Sequence, residues 1–191
     1  SNLLDYEIEE KKHFIFNVLA IQDQIQTHAT IKLSLSDSND NPPVFEHSEY
    51  HIKIPEDTPP NTAILTLQAH DADSGEFGKI SYQLKGFGFK KFIVDPETGT
   101  ISLAPCMTKS EPINESLSCL DYESQPSYSL SFEAKDGGGR KSSVNLHVEV
   151  VDVNDNDPKF VKSIYVRELF EKDQVISPPL TVKATDEDGP S

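Results

Sequence analysis

Tryptophan is absent from this 191-residue sequence, methionine occurs once and cysteine only twice. Positive charge is scarce too: Lys plus Arg number 17 against 32 Asp plus Glu, a formal net charge of −15. Such a chain offers no long-range attraction to nucleic acid or to an anionic membrane surface, and cations are its natural partners. No apolar run approaches the roughly 20 residues that span a bilayer as a helix, so a membrane anchor is expected outside these residues. A nucleophile elbow, a phosphate loop and zinc-type Cys/His spacing are all missing. The acidic residues recur at intervals instead of converging as the acid–base pair of a hydrolase would, so the chain reads as non-enzymatic. His13, His28, His47, His51, His70 and His147 show no ligand spacing and read as surface or strand residues.

What is present is acid in a pattern. Asp152-Val153-Asn154-Asp155-Asn156-Asp157-Pro158 is nearly repeated as Asp37-Ser38-Asn39-Asp40-Asn41-Pro42-Pro43. Each run crowds oxygen donors together and ends in proline, which cannot donate to a sheet ladder. Carboxylates, Asn carbonyls and backbone carbonyls are what Ca2+ gathers in shells of about six to eight oxygens, and neither run contains sulfur or imidazole. One Asx-rich run alone also makes an ordinary turn. These two lie 115 positions apart, and other features keep the same step. Asp71-Ala72-Asp73 recurs as Asp186-Glu187-Asp188, and Phe45, Tyr50 and Glu56 recur as Phe160, Tyr165 and Glu171. Leu4-Asp5-Tyr6-Glu7 returns as Leu120-Asp121-Tyr122-Glu123, one position beyond that step. A single register over the whole chain is the mark of a tandem array.

The register divides the chain into one complete unit and two parts. Residues 1–36 hold the last strands of one unit, 37–43 a linker, 43–151 a complete unit, 152–158 a second linker, and 159–191 the first strands of a third. Two strands bury no core by themselves, so the chain is expected to be a segment of a longer array. In the complete unit, strands are expected at 49–55, 62–70, 79–84, 91–95, 99–103, 127–135 and 142–151. Breaks fall at Pro55, Pro59-Pro60, Pro96-Glu97-Thr98-Gly99 and Asp136-Gly137-Gly138-Gly139. Val144, Leu146, Val148 and Val150 share one face at period two, as do Ala63, Leu65, Leu67 and Ala69. About seven short strands at this spacing make an all-β, immunoglobulin-like Greek-key sandwich of two packed sheets. The first part reads as a hairpin of Phe14 to Ala20 and Ala29 to Leu35 around a polar turn at Gln22 to Thr27. The last part reads as strands at 162–169 and 180–184.

Cys106 and Cys119 stand 13 positions apart in one stretch. In an extracellular setting they close the intervening loop as a disulfide, worth about 3 kcal/mol on the chain-entropy account; the alternative is two free thiols in a loop. Between them Asn114-Glu115-Ser116 is an N-glycosylation acceptor, which favours a secreted or surface protein. Lys85-Gly86-Phe87-Gly88-Phe89-Lys90-Lys91-Phe92 interleaves bases and aromatics like a single-strand nucleic-acid platform. The plainer reading is a turn between strands with Phe89 or Phe92 in the core and Phe87 left as a possible partner patch.

Leu-Asp-Tyr-Glu, Asp-x-Asn-Asp-Asn-x-Pro, Asp-x-Asp-x-Gly, Asp95-Pro96-Glu97-Thr98-Gly99-Thr100-Ile101 and Ala134-Lys135-Asp136, in this order over the whole chain, resemble the extracellular cadherin repeat. The resemblance implies calcium-dependent cell adhesion by an extracellular ectodomain, with repeats of the same or a related protein as partners in cis or trans. A passive spacer within a longer receptor is the alternative. The resemblance also implies about three Ca2+ per complete linker. At the first linker the implied ligands are Asp5, Glu7, Asp37, Asn39, Asp40 and Asn41, with Asp71, Asp73 and Asp136 from the unit that follows. At the second they are Glu56, Asp121, Glu123, Asp152, Asn154, Asp155 and the Asn156 backbone carbonyl, with Asp186 and Asp188. Phe77 stands where the family has Asn in a position thought to use its backbone carbonyl. Gln22 stands where Asp136 stands in the next unit, taking a carboxylate from any junction upstream, with Asp23 one position on. The 104–119 loop is an insertion, and the missing tryptophan means that a strand-exchange adhesive end is not in this piece.

Overall fold

Alternating apolar residues hold a strand in place where a second layer exists to cover them. The computed structural model describes residues 4–23, 25–105, 120–168, 171 and 179–188. Its strands are β1 (His13–Gln22), β2 (Ile25–Ser34), β3 (Val44–Phe45), β4 (Glu49–Pro55), β5 (Ala63–Thr66), β6 (Ala69–His70) and β7 (Ser81–Gly86). They continue as β8 (Phe92–Val94), β9 (Thr100–Leu103), β10 (Ser127–Lys135), β11 (Lys141–Val151), β12 (Lys159–Phe160) and β13 (Ala184–Thr185).

Four strands in the order β4-β11-β10-β7 form one sheet, and β5-β9-β8 form a three-stranded one. The β10–β11 hairpin is antiparallel, and β4 runs parallel to β11, with Ile52 opposite Val148 and Pro55 opposite Val151. The chain visits the second sheet between β4 and the hairpin, which is Greek-key connectivity. Tyr128, Leu130, Phe132 and Ala134 of β10 and Val144, Leu146, Val148 and Val150 of β11 point inward and are buried, meeting Phe92, Ile101 and Leu103 of the other sheet. Phe132 is the centre of this packing, 5.9 Å from the Phe45 ring and 5.4 Å from the Tyr82 ring. The all-β sandwich is therefore present as expected.

Details differ. The strand expected at 62–70 is broken into β5 and β6, which pair with different partners, β9 and β3. Leu67 at the break is buried, its N–H donating to Gly99 O at 3.1 Å. The chain passes there from the three-stranded sheet to a separate two-stranded one, so one period-two run is divided between two sheets. Of the two candidate core aromatics, Phe92 is buried edge-on against Tyr128 at 5.4 Å, whereas Phe89 is 42% exposed in a 3-10 turn. Gly88 before it has φ +78, and a Cβ there would overlap the Tyr128 ring.

In the first part the turn is tighter than expected: Gln22 pairs directly with Ile25, and Asp23 takes φ +53. Both strands are exposed almost throughout, since two strands have no second layer. Among the described residues of the last part, 162–168 form no strand and pairing is confined to β12 with β13. Ile164 and Val166 lie exposed there, without the covering layer that a period-two strand needs. Leu169, Cys106, Cys119 and Asn114 lie outside the described residues.

Candidate metal centres

The run 37–41 follows β2 and bends at Asn39, where Asp40 N–H donates to Ser38 O at 2.7 Å, and Pro43 anchors it by being fully buried. Asn41 then clamps the loop after β6. Its N–H donates to the Asp73 carboxylate at 3.2 and 3.3 Å, and its side-chain amide donates to Asp73 Oδ1 at 2.8 Å. Ser74 N–H donates to Asp37 Oδ2 at 2.6 Å, and Asp73 N–H to Asp71 Oδ1 at 2.9 Å. The β10–β11 turn supplies Asp136, whose Oδ1 accepts from Arg140 N–H at 2.8 Å. Asp71, Asp73 and Asp136 are all buried. Leu4 to Ile8 brings in Glu7, whose N–H donates to Asp5 Oδ1 at 3.2 Å.

The result is carboxylates facing carboxylates. One oxygen each from Glu7, Asp37 and Asp73 lie within 4.8 Å of one another. Glu7 Oε1, Asp37 Oδ1 and Asp71 Oδ2 are buried without a hydrogen-bond donor. Asn39 bridges two of these acids: its side-chain amide donates to Asp73 Oδ2 and Asp136 Oδ2, both at 2.9 Å. Loss of water pushes the Glu7 carboxyl above its ordinary range, and the charges of Asp40 and Asp37 add to the rise.

At the second junction the same grammar appears. Asn156 N–H donates to both oxygens of Asp188 at 3.2 Å and its amide to Asp188 Oδ1 at 2.9 Å, while Asp188 N–H donates to Asp186 Oδ1 at 3.1 Å. Parallel pairing of β4 with β11 puts Glu56 beside the linker, and it is buried. Its two oxygens accept from Tyr122 N–H and Val153 N–H, both at 2.7 Å, tying the 120–123 segment to the linker. Asp121 is held low by hydrogen bonds from the Ser124 hydroxyl and N–H. Oxygens of Glu56, Glu123 and Asp155 cluster within 4.8 Å, as do those of Glu123, Asp152 and Asp188. Burial raises Asp155, helped by the charges of Glu56, Asp188, Asp121 and Asp152. Glu123 also ends above its ordinary value: its own backbone N–H lowers it, but lost water and the charges of Glu56, Asp152 and Asp155 outweigh that. Asn154 lies exposed at the bend and Asp40 exposed beside Asn41. Donors made only of oxygen, crowded and short of positive charge, suit a hard divalent cation such as Ca2+.

One structural requirement was not read from sequence. Gly138 leaves the space that the Asn39 side chain fills, and a Cβ there would overlap it. In the sequence the glycine run after Asp136 marks only a turn.

A family model, the Cadherin domain, matches residues 50–151. The chain belongs to the cadherin family. It is 34% identical over 188 residues to human Cadherin-23 and 33% identical over 186 residues to Cadherin-related family member 1 of Rattus norvegicus, covering 98% and 95% of this chain. It spans only 5% and 20% of those relatives. Among solved structures, mouse Cadherin-23 EC22-24 superposes with a TM-score of 0.83 at 34% identity, covering 98% of this chain and 57% of that one. The protocadherin gammaB4 extracellular domain gives 0.80 at 29% identity, covering 97% and 28%. The chain is thus a segment of cadherin repeats of the extracellular, cell-surface kind. Cadherin domains in general bind Ca2+. Among the described residues no helix is long and apolar enough to cross a membrane.

Proposed function

We propose that residues 37–43 and 152–158 are calcium-bridged junctions that join successive cadherin repeats into a stiff rod. In this reading residues 43–151 are one complete repeat, residues 1–36 the end of the preceding one and residues 159–191 the start of the next. The ligands are those named from the sequence, with about three Ca2+ per complete junction. The observation that carries the reading is the set of buried, donorless oxygens on Glu7, Asp37 and Asp71, contributed from both sides of one junction. Water cannot reach these oxygens and no hydrogen bond offsets their burial, whereas a divalent cation removes both the desolvation cost and the mutual repulsion.

The function that follows is calcium-dependent adhesion, with repeats of the same or a related protein as partners in cis or trans. One solved relative, protocadherin gammaB7 EC3-6, is described as a cis dimer. A second reading is a spacer that holds distant repeats apart, with recognition elsewhere. Beads coated with the chain separate the two. Aggregation in millimolar calcium that EDTA reverses supports adhesion by this segment, and dispersed beads in both conditions support the spacer.

A further inference from the structure

On the outer face of the four-stranded sheet, two histidines far apart in sequence become neighbours. His51 lies on β4 and His147 on β11, and parallel pairing makes them direct partners. Their rings stack with centroids 4.8 Å apart and planes 18° apart. Glu49, two positions before His51 and so on the same face, sets Oε1 3.6 Å from His51 Nε2. One ligand atom from each of Glu49, His51 and His147 lies within 4.8 Å of the other two. Ser129, paired with His147 from β10, has its hydroxyl 3.3 Å from His147 Nδ1, which leaves metal contact to Nε2.

Two imidazoles with one carboxylate differ in kind from the all-oxygen junctions: Ca2+ seeks oxygen, whereas zinc and copper(II) take imidazole with carboxylate. We propose that Glu49, His51 and His147 form a surface site for a divalent transition-metal ion of the zinc and copper(II) class, with water or a donor from a second molecule completing the coordination. The sheet register holds the two histidines side by side before any ion arrives. Of the other charged groups on this face, Lys53 and Glu149 offset each other in an ion pair at 2.9 Å, Glu133 of β10 is paired with Lys85 and Lys141 at 2.8 Å each, Lys135 lies opposite Lys141, and the β10 residues opposite Glu149, His147 and Asn145 are Ser127, Ser129 and Ser131. The imidazoles must be neutral to ligate, so acid works against uptake.

The test is titration of zinc chloride, and separately copper(II) chloride, into the 191-residue chain by calorimetry, with millimolar calcium filling the junctions. Imidazole C–H resonances are followed by NMR. One equivalent is expected near pH 7.5 and loss of uptake near pH 5.5. His51→Ala and His147→Ala each remove that equivalent, Ser129→Ala weakens it about tenfold, and His47→Ala leaves it unchanged. Calcium uptake and the unfolding transition verify that each variant is folded, and His147→Gln serves if alanine disturbs the sheet. Absence of uptake by the unaltered chain at about 0.1 mM metal, well above micromolar affinity, overturns the proposal. Equal uptake by a folded His51→Ala/His147→Ala double variant does so too.

Discussion

Ile54 and Glu56 lie two residues apart at the end of β4, and both are almost wholly buried, at 4% and 3% exposed. Phe132 and Asp136 make a similar pair at the end of β10, at 0% and 3%. Ile54 and Phe132 belong to the sandwich, where apolar groups cover one another and burial is favourable as it stands. Glu56 and Asp136 belong to the junctions, where burial sets negative charge beside negative charge. The same strands thus deliver two kinds of cohesion. The core needs only its own side chains, while the acidic ends, on the proposed reading, draw on a cation from outside. Denaturant should probe the first and chelation the second, with little cross-talk.

The largest effect expected is in the core. Phe132→Ala should cost about 3–5 kcal/mol of unfolding free energy, measured by urea denaturation in saturating calcium, with the calcium midpoint unchanged; a shifted midpoint would break the separation. Next, Asp155→Ala removes a carboxylate from the Glu56–Glu123–Asp155 cluster. It should raise the calcium midpoint about tenfold and make the junction easier to cleave by protease at intermediate calcium. The calcium-free unfolding transition should stay within about 0.5 kcal/mol. Equal calcium binding and equal protease resistance in variant and unaltered chain would contradict the assignment.

A third variant sharpens the boundary between the regions, since it is charged yet belongs to the sandwich. Glu133 on β10 accepts from Lys141 Nζ and Lys85 Nζ, each at 2.8 Å, and from Gln83. Lys141 first and Lys85 next hold its carboxyl down from 4.5 to about 2. A depressed carboxyl contributes stability that is complete above 4.5 and is lost as pH falls through about 2. Glu133→Gln should therefore cost about 1 kcal/mol at neutral pH after solvent screening, with the difference fading below pH 4.5 in thermal melts and no dependence on calcium. The smallest effect is at Phe87, 78% exposed in the turn after β7. Phe87→Ala should change stability by less than about 0.5 kcal/mol, and unchanged bead aggregation would retire it as a partner patch.

Much of this was legible in the sequence because the signals are local or repeat. Alternation in Ser142 to Val151 needs only the residues themselves, and β11 begins one residue earlier, at Lys141. The acidic runs announce themselves by recurring at one interval, and the contacts of Asn41 with Asp73 and of Asn156 with Asp188 repeat the same geometry. What escaped depends on pairing between distant segments. Leu67 looks like a strand interior until the two partners of β5 and β6 are known. His51 and His147 show no ligand spacing because the spacing lies across β4 and β11. Gly138 looks like turn punctuation until Asn39 is seen against it. The strand expected at 162–169 failed for a different reason, since its apolar side chains have no covering layer among the described residues.

The central claim is that the crowded acids at the two junctions hold divalent cations, and equilibrium dialysis against calcium measures this directly. At millimolar free calcium the unaltered chain should take up several equivalents, about three for each complete junction, and a chain carrying Asp40→Ala with Asp155→Ala should need markedly higher calcium for the same uptake. No uptake by the unaltered chain, or the same isotherm for both, would contradict the account.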